Sequence, residues 1–276
     1  MGLWSSSLQE IIKKGSEVLA ILDEAVEINK LGQRNLWVLY GKSNSGKTWL
    51  AATFPKPLLY LQIGDDGSNT IASVEGVKAI RLDKVRDPKT GKEQDANPVQ
   101  RLKDLSKELL RDKQYKTIVV DTFSFVVNEW TDEKVISKGK RMTQQLWGDL
   151  KVDQEELVKL MYKVARKHIV VLTCHESVDN IEGMEDEITP DVRPSVSKGA
   201  RTYLEGMANY GIHTTKIIKE VTSGNGTKEV VKYAADIGPN PYYWTKLQID
   251  PSIKVPKRVI NPTYEKFMQI IGAVEE

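Results

Sequence analysis

The chain contains little of what marks several protein classes. It has one cysteine, Cys174, so it cannot form an intramolecular disulfide, which is typical of proteins from a reducing cytosol. Its three histidines lack the spacing of metal ligands, and no Cys/His cluster suits zinc. No apolar run approaches the roughly 18 residues that a membrane-spanning helix needs. We therefore expect a cytoplasmic protein with no membrane partner.

The charge of the chain is nearly balanced. Its 40 basic and 38 acidic residues give a formal net charge of +2. A strongly basic chain would point to nucleic acid, but here such a surface has to be local. The 276 residues, 40% of them apolar, are enough for one large domain with additions.

The strongest chemical signal is a glycine-rich segment between an apolar run, Leu36–Tyr40, and a predicted helix. It fits G-x-x-x-x-G-K-[ST] at every fixed position. In such a loop, backbone N–H groups cradle phosphates, the lysine pairs with the β- and γ-phosphates, and the final hydroxyl binds Mg²⁺. The sequence predicts a site for ATP with Mg²⁺, although other nucleoside triphosphates stay open. Its residues are Gly41, Lys42, Ser43, Asn44, Ser45, Gly46, Lys47 and Thr48.

A metal-bound triphosphate needs a second protein oxygen, which a later strand supplies. Thr117–Asp121 is an apolar run that ends in a carboxylate, as the second metal-binding motif of P-loop proteins does. We predict that Asp121 holds the metal together with Thr48. The following residue is Thr122 rather than Glu, so a catalytic base has to come from elsewhere.

Apolar runs that alternate with helical patterns predict an α/β fold with a mostly parallel sheet and helices on both faces. We predict strands at 36–40, 58–63, 77–82, 117–120 and 169–174, and helices at 47–53, 100–110, 146–167 and 264–273. Residues 84–98 are predicted to form a solvated loop, and Ser223–Gly226 the turn of a hairpin. The chain then divides into an N-terminal helical arm (1–34), a core (35–208) and a C-terminal hairpin and tail (209–276).

Several segments together resemble phage and prophage RecA-like nucleotide-binding proteins, which include single-strand-annealing recombinases. The resemblance covers roughly residues 35–215, and its more specific parts are A-T-F-P-x-P-L and V-L-T-x-H. It rests on Leu39–Gly41, Gly46–Thr48, Ala52–Leu58, Ile118–Thr122, Trp147–Gly148 and Val171–His175.

The resemblance implies a RecA-like core with its catalytic base after the second strand, where Asp65 and Asp66 are available. An Asp-Asp-Gly turn without chemistry is the alternative. Family members usually carry Glu there, and a shorter side chain implies slower hydrolysis. His175 would contact the γ-phosphate as a polar sensor, unless it is a strand-end histidine bonded to backbone.

The resemblance also implies a ring or filament of identical subunits, with ATPase sites completed by a neighbour. The basic residues available to reach across the interface are Arg193, Lys198 and Arg201.

DNA in RecA-like recombinases is held by the loops after the second metal-binding strand and after the sensor strand. The first loop here, Phe123–Trp147, carries cations and tryptophans, which suit single-stranded DNA: Lys134, Lys138, Lys140, Arg141, Trp130 and Trp147. The second, Glu176–Asp191, has seven acids and no Lys or Arg, as in a solvated insertion or a site for a basic partner or metal.

The function that these observations favour is an ATPase acting on single-stranded DNA in phage recombination or replication, in the bacterial host cytoplasm. A single-strand-binding protein or another replication protein would be its partner. The first alternative is a nucleotide-gated protein-binding module with little turnover. A small-molecule kinase is the second, although the acidic segment would make a poor phosphate lid.

Overall fold

The computed structural model describes residues 35–63, 67–182, 188–223 and 226–272. The predicted N-terminal arm lies outside these ranges. The strands are β1 (Asn35–Gly41), β2 (Leu58–Gln62), β3 (Val77–Arg81), β4 (Lys84–Arg86), β5 (Glu93–Asp95), β6 (Thr117–Asp121), β7 (Ile169–Glu182), β8 (Ile188–Pro194), β9 (Tyr210–Ser223), β10 (Gly226–Asp236), β11 (Lys246–Leu247) and β12 (Arg258–Ile260). The helices are α1 (Lys47–Ala52), α2 (Ser68–Ile71), α3 (Pro98–Leu109), α4 (Phe125–Lys134), α5 (Gln144–Val164), α6 (Lys198–Met207) and α7 (Tyr264–Ile270), and a 3₁₀ turn covers Ile136–Lys138.

One large sheet organises the described chain, in the strand order β12-β10-β9-β1-β7-β6-β2-β3. The strands from β9 to β3 in this order run parallel, whereas β10 and β12 are antiparallel to their neighbours. The carboxyl ends of β1, β6 and β7 therefore lie side by side, and side chains that follow them meet at one edge. The predicted α/β class with a mostly parallel sheet is confirmed.

Hydrophobic side chains cover both faces of this sheet, as its apolar strands require. Along β1, alternate residues enter opposite clusters: Leu36 and Val38 pack with α3, α5 and α6, whereas Trp37 and Leu39 pack with α1 and α7. Val119 and Val120 divide in the same way on β6. The central strands are fully buried, so they form a rigid base for the loops at their carboxyl ends.

Four helices begin at a residue whose side chain accepts a hydrogen bond from the backbone of the first turn. Asn97 caps α3, Thr143 caps α5, Ser197 caps α6 and Thr263 caps α7. In α3, Pro98 also occupies the first turn, where its missing N–H costs nothing. These caps fix where α5 and α6 start, and both starts lie near the cavities described below.

The structure differs from the sequence predictions in three places. Residues 84–98 contain the short β4–β5 hairpin rather than only loop. The acidic segment, for which a solvated insertion and a site for a basic partner or metal were both open, continues β7 into a second hairpin with β8. Neither α4 nor α6 was predicted: α4 has little amphipathic periodicity, and α6 is amphipathic, with Ala200 and Leu204 buried, but has only 10 residues. The predicted hairpin is present as β9 and β10, and both strands belong to the main sheet.

Across the described residues, no helix is both long enough and apolar enough to cross a membrane.

Candidate functional site

The loop between β1 and α1 has the conformation that a phosphate-binding loop requires. Gly46 has φ +91°, and a Cβ there would lie 2.8 Å from the ring of Tyr233, so only glycine fits. The Lys47 ammonium donates hydrogen bonds to the carbonyls of Gly41 (3.0 Å) and Lys42 (2.7 Å), which hold it against the loop. Ser45 shares a 2.7 Å hydroxyl contact with Thr214 of β9, so the neighbouring strand supports the loop from behind.

The carboxylate of Asp121 lies beside the start of α1 and is 3% exposed. The Thr48 hydroxyl donates to its Oδ2 at 2.7 Å, and the Tyr60 hydroxyl donates to the same oxygen. The hydroxyls of Thr122 (3.0 Å) and Thr173 donate to Oδ1. Four hydroxyl groups from four segments thus fix this carboxylate, so its orientation is determined before any ligand arrives.

The Thr48–Asp121 pair fits a small hard cation. Both groups offer oxygen, and Mg²⁺ in phosphate sites takes one or two protein oxygens and completes its shell with phosphates and water. A Cβ on Gly67 would lie 3.0 Å from Asp121 Oδ2, Thr48 Oγ1 and the Tyr60 hydroxyl, so the backbone here closes tightly over the pair. Within the described residues no group of three or more His, Cys, Asp or Glu side chains could hold a metal by itself.

A cleft of about 370 Å³ opens over the loop and contains both parts of the predicted site. Ser43–Thr48 line this cleft together with Asp121, Thr122 and His175. Trp49, which is 49% exposed, and Tyr233 also line it. A smaller cavity shares Trp49 and Tyr233 with this cleft and is also lined by Asn261–Thr263. The cleft is large enough for the polar and ring portions of a nucleotide.

His175 stands at the carboxyl end of β7, in register with Gly41 of β1. Its backbone N–H donates to the Ser124 hydroxyl at 2.9 Å, and its ring lies 5.4 Å from that of Phe125. The side chain lines the nucleotide cleft, where the resemblance placed it. Cys174, just before it, is fully buried, and burial raises the pKa of its thiol to about 12, so it behaves as a hydrophobic side chain.

The predicted catalytic carboxylates, Asp65 and Asp66, lie outside the described residues. Their described neighbours are attached to the site: the Ile63 N–H donates to the Asp121 carbonyl at 3.1 Å, and Gly67 lines the cleft. The base assignment stays a prediction.

Two of the three proposed trans-acting cations are paired inside their own chain. Arg193 contacts Asp191 at 2.6 Å and Glu205 at 3.4 Å, and Arg201 contacts Asp179 at 2.5 Å. Lys198 is exposed and has no ion pair with the described part of the chain. A cation that keeps its cis partners is poorly placed to reach a neighbour, so Lys198 is the better candidate of the three.

These pairs also change the interpretation of the acidic segment. Asp179 and Asp191 face arginines, and Glu176 contacts His213 at 2.9 Å. The charges of these acids are therefore partly neutralised within the chain. Arg201 and His213 lie 22 and 37 residues from the acids they contact, so the sequence did not reveal those two pairs, whereas Arg193 is only two residues from Asp191. Residues 183–187, with three further acids, lie outside the described ranges.

The basic segment before α5 is exposed, as a nucleic-acid surface requires. Lys138, Lys140 and Arg141 are exposed and form no ion pair with described residues, whereas Lys134 contacts Glu133 at 3.0 Å. The two tryptophans differ. Trp130 is 2% exposed and donates to Asp153 at 2.5 Å, so it is part of the core and unavailable for bases, whereas Trp147 is 56% exposed.

A buried polar cluster that the sequence did not predict surrounds His213 of β9. The ring nitrogens of His213 contact Glu176 at 2.9 Å and Asp236 at 3.3 Å, and Arg258 contacts Asp236 at 2.7 Å. Burial would raise the pKa of the Asp236 carboxyl, but hydrogen bonds from His213 and Arg258 outweigh it and hold the pKa below its ordinary value. No spacing pattern links these residues, so only the fold could bring them together.

The sheet order, the loop between β1 and α1, and the carboxylate at the end of β6 together define a P-loop NTPase with a RecA-like core. The chain belongs to the AAA_24 family, described as an AAA domain, whose model matches residues 34–260. This membership indicates a nucleotide-binding ATPase. A search of curated proteins gave no match.

Proposed function

We propose that this protein is a Mg²⁺-dependent ATPase of the RecA-like phage type that acts on single-stranded DNA. The observation that carries the ATPase part is the 2.7 Å contact between Thr48 and a buried Asp121 beside the Lys47 ammonium. These groups are the ones that binding a metal-bound triphosphate requires, and they converge in one cleft.

The residues of the cleft have separate roles in this mechanism. Lys47 neutralises charge on the β- and γ-phosphates, and backbone N–H groups of the loop bind the β-phosphate. Thr48 and Asp121 hold Mg²⁺, which, when bound, withdraws charge from the transferring phosphoryl group. The hydroxyls of Tyr60 and Thr173 keep the Asp121 carboxylate in one orientation, so little reorganisation accompanies binding.

Hydrolysis also requires a water oriented toward the γ-phosphate. Asp65 or Asp66 accepts a hydrogen bond from this water, and His175, which follows the parallel part of β7, contacts the γ-phosphate. Because aspartate is one methylene shorter than glutamate, we expect slow turnover. Single-stranded DNA, bound to the segment that follows β6, would accelerate it.

The DNA part of the proposal rests on the exposed segment before α5. Lys138, Lys140 and Arg141 are exposed without ion pairs to described residues, and Trp147 follows them on the surface. Exposed cations beside an exposed ring are the ingredients of single-strand binding. The functional assembly would be a ring or filament, with Lys198 reaching a neighbour's site and a single-strand-binding or other replication protein as partner, in the bacterial host cytoplasm.

The test is ATP hydrolysis with and without single-stranded DNA, at low and high salt. We expect DNA to raise turnover, and salt to reduce this stimulation, because phosphate contacts release counterions. A double variant, Lys140→Ala with Arg141→Ala, should lose stimulation and keep DNA-independent turnover, whereas Lys159→Ala on an exposed face of α5 serves as the matched control. Turnover indifferent to DNA at both salt concentrations would exclude the DNA role.

One observation favours the second candidate, a nucleotide-gated protein-binding module. Ile218 and Val231 face each other across the β9–β10 hairpin and are 55% and 44% exposed. Val231 is two residues from Tyr233, which lines the nucleotide cleft, so a partner bound to this apolar pair would lie close to the nucleotide. Nucleotide binding without turnover, with a partner lost in Ile218→Ser but retained in Lys216→Ser, would favour this function. Phosphate transfer to nucleosides, tested in parallel, would indicate a kinase.

A further inference from the structure

A second cavity, of about 280 Å³, adjoins the nucleotide cleft. Three segments form it: the first turn of α4, the first turn of α5 and residues 195–197 before α6. His175 lines both cavities, so they share one side chain. The caps Thr143 and Ser197 fix the starts of α5 and α6, which makes this cavity a built feature of the fold.

The lining of this second cavity suits a planar, uncharged occupant. Phe125 and Trp147 supply aromatic rings, and Asn128, Ser124, Ser195 and Ser197 supply an amide and three hydroxyls. No Lys, Arg, Asp or Glu lines it, so a phosphate has no counter-charge inside. The Asn128 amide and the Ser195 hydroxyl form no hydrogen bond with the described residues, and an amide can both donate to and accept from the edge of a base.

The charge needed for a phosphate backbone lies outside this cavity instead. Lys138, Lys140 and Arg141 are exposed on the segment that leads into α5 and precede Trp147 along the chain. The exposed cations therefore lie on the same segment as one ring of an uncharged cavity. This separation matches how proteins bind single strands, with the backbone on cations and the bases against aromatic rings.

We propose that this second cavity receives one unpaired base of single-stranded DNA, stacked on Trp147, with Asn128 facing the edge of the base. The proposal rests on the proposed DNA role and adds a base subsite to it. The base would then lie beside His175, which also lines the nucleotide cleft.

The test compares two ligands of equal length that differ only in their bases: an oligothymidylate and a fully abasic oligodeoxynucleotide. Fluorescence anisotropy gives the affinity of the full chain for each, in the presence of a non-hydrolysable ATP analogue and Mg²⁺. We expect the wild-type protein to prefer the oligothymidylate. Trp147→Ala should weaken oligothymidylate binding by about 5- to 150-fold, the range typical of one lost stacking contact, and leave binding of the abasic strand unchanged.

Three further variants make the comparison specific. Trp147→Phe keeps a ring and should retain most of the preference, whereas Tyr242→Ala removes an exposed ring that does not line the cavity and should change nothing. Lys140→Ala should weaken both ligands equally, because it acts on phosphates. Thermal unfolding of each variant confirms that it is folded.

Two results would overturn the base subsite while the DNA role stands: wild-type affinity of Trp147→Ala for oligothymidylate, or equal loss on both ligands. Failure of the wild-type protein to bind either strand would overturn the DNA role and the subsite together. Loss of a protein partner in Trp147→Ala, with DNA binding intact, would assign the cavity to a protein side chain instead.

Discussion

Replacing Gly67 with alanine adds a single methyl group and tests the geometry of the proposed metal site at Thr48 and Asp121. Gly67 has φ +90°, and its added Cβ would lie 3.0 Å from Asp121 Oδ2, Thr48 Oγ1 and the Tyr60 hydroxyl at once. A Cβ is rarely closer than 3.4 Å to another heavy atom, so the methyl group or these oxygens must move by a few tenths of an ångström. The left-handed backbone adds a strain of about 1–2 kcal/mol.

The effect on turnover follows from this displacement. If a misplacement of about 1 Å costs roughly a hundredfold in rate, a shift of about 0.3 Å costs roughly fourfold. We therefore expect Gly67→Ala to lower kcat by about that factor and to raise the Mg²⁺ concentration needed for half-maximal turnover. If turnover is too slow to measure, the Mg²⁺ dependence of binding a fluorescent ATP analogue gives the same comparison.

Gly91→Ala is the matched control. Gly91 also has a left-handed backbone, φ +69°, but the nearest atom to its added Cβ is 3.6 Å away, on Arg86. Both variants should lose about 1–2 kcal/mol of unfolding free energy in urea, and only Gly67→Ala should change Mg²⁺ dependence. Wild-type kcat and Mg²⁺ dependence in Gly67→Ala would refute the assignment of the metal site to Thr48 and Asp121.

Three other predictions address buried polar side chains. Asp121→Asn should reduce Mg²⁺-dependent turnover more than nucleotide affinity, measured by kinetics and calorimetry, and unchanged turnover would count against its metal role. Thr173→Val and Thr117→Val each remove one buried hydroxyl that donates a hydrogen bond, so both should lose about 0.5–1.5 kcal/mol of stability. Only Thr173→Val should lower kcat, because the Thr173 hydroxyl holds Asp121, whereas the Thr117 hydroxyl bonds the Pro55 carbonyl. The pKa of the Asp236 carboxyl is held below its ordinary value, so its contribution to stability is present above roughly pH 4 and is lost as the pH falls further. The free energy of unfolding in urea should therefore change less with pH in Asp236→Asn than in the wild-type protein between about pH 5 and pH 2. An equal change with pH in both proteins would contradict this.

The central fold and the phosphate loop could be predicted from the sequence because local patterns encode them. Buried parallel strands are continuous apolar runs, and the loop motif has fixed spacing next to such a run. Asp121 followed from its place at the end of β6. These features depend on residues that are close along the chain or on the periodicity of a single element.

What the sequence did not reveal depends on contacts between distant segments. The hydroxyls of Tyr60 and Thr173, 61 and 52 residues from Asp121, reach it only because β2, β6 and β7 are neighbours. Trp130 and Trp147 looked equivalent as aromatic residues in one basic segment, but Trp130 is buried against α5 through Asp153. Asp179 of the β7–β8 hairpin looked unpaired because Arg201, 22 residues further along the chain, reaches it only once the hairpin and α6 have formed.

The assignment of the nucleotide site is tested most directly by a calorimetric titration of ATP with Mg²⁺ into the wild-type protein, Lys47→Ala and Lys42→Ala. Lys47 lies buried against the phosphate loop, whereas the Lys42 side chain is exposed and only its backbone belongs to the loop. We expect the wild-type and Lys42→Ala proteins to bind alike, and Lys47→Ala to bind about 10- to 150-fold more weakly, the loss typical of a hydrogen bond to a charged group. Wild-type affinity in Lys47→Ala would contradict the assignment of this cleft as the nucleotide site.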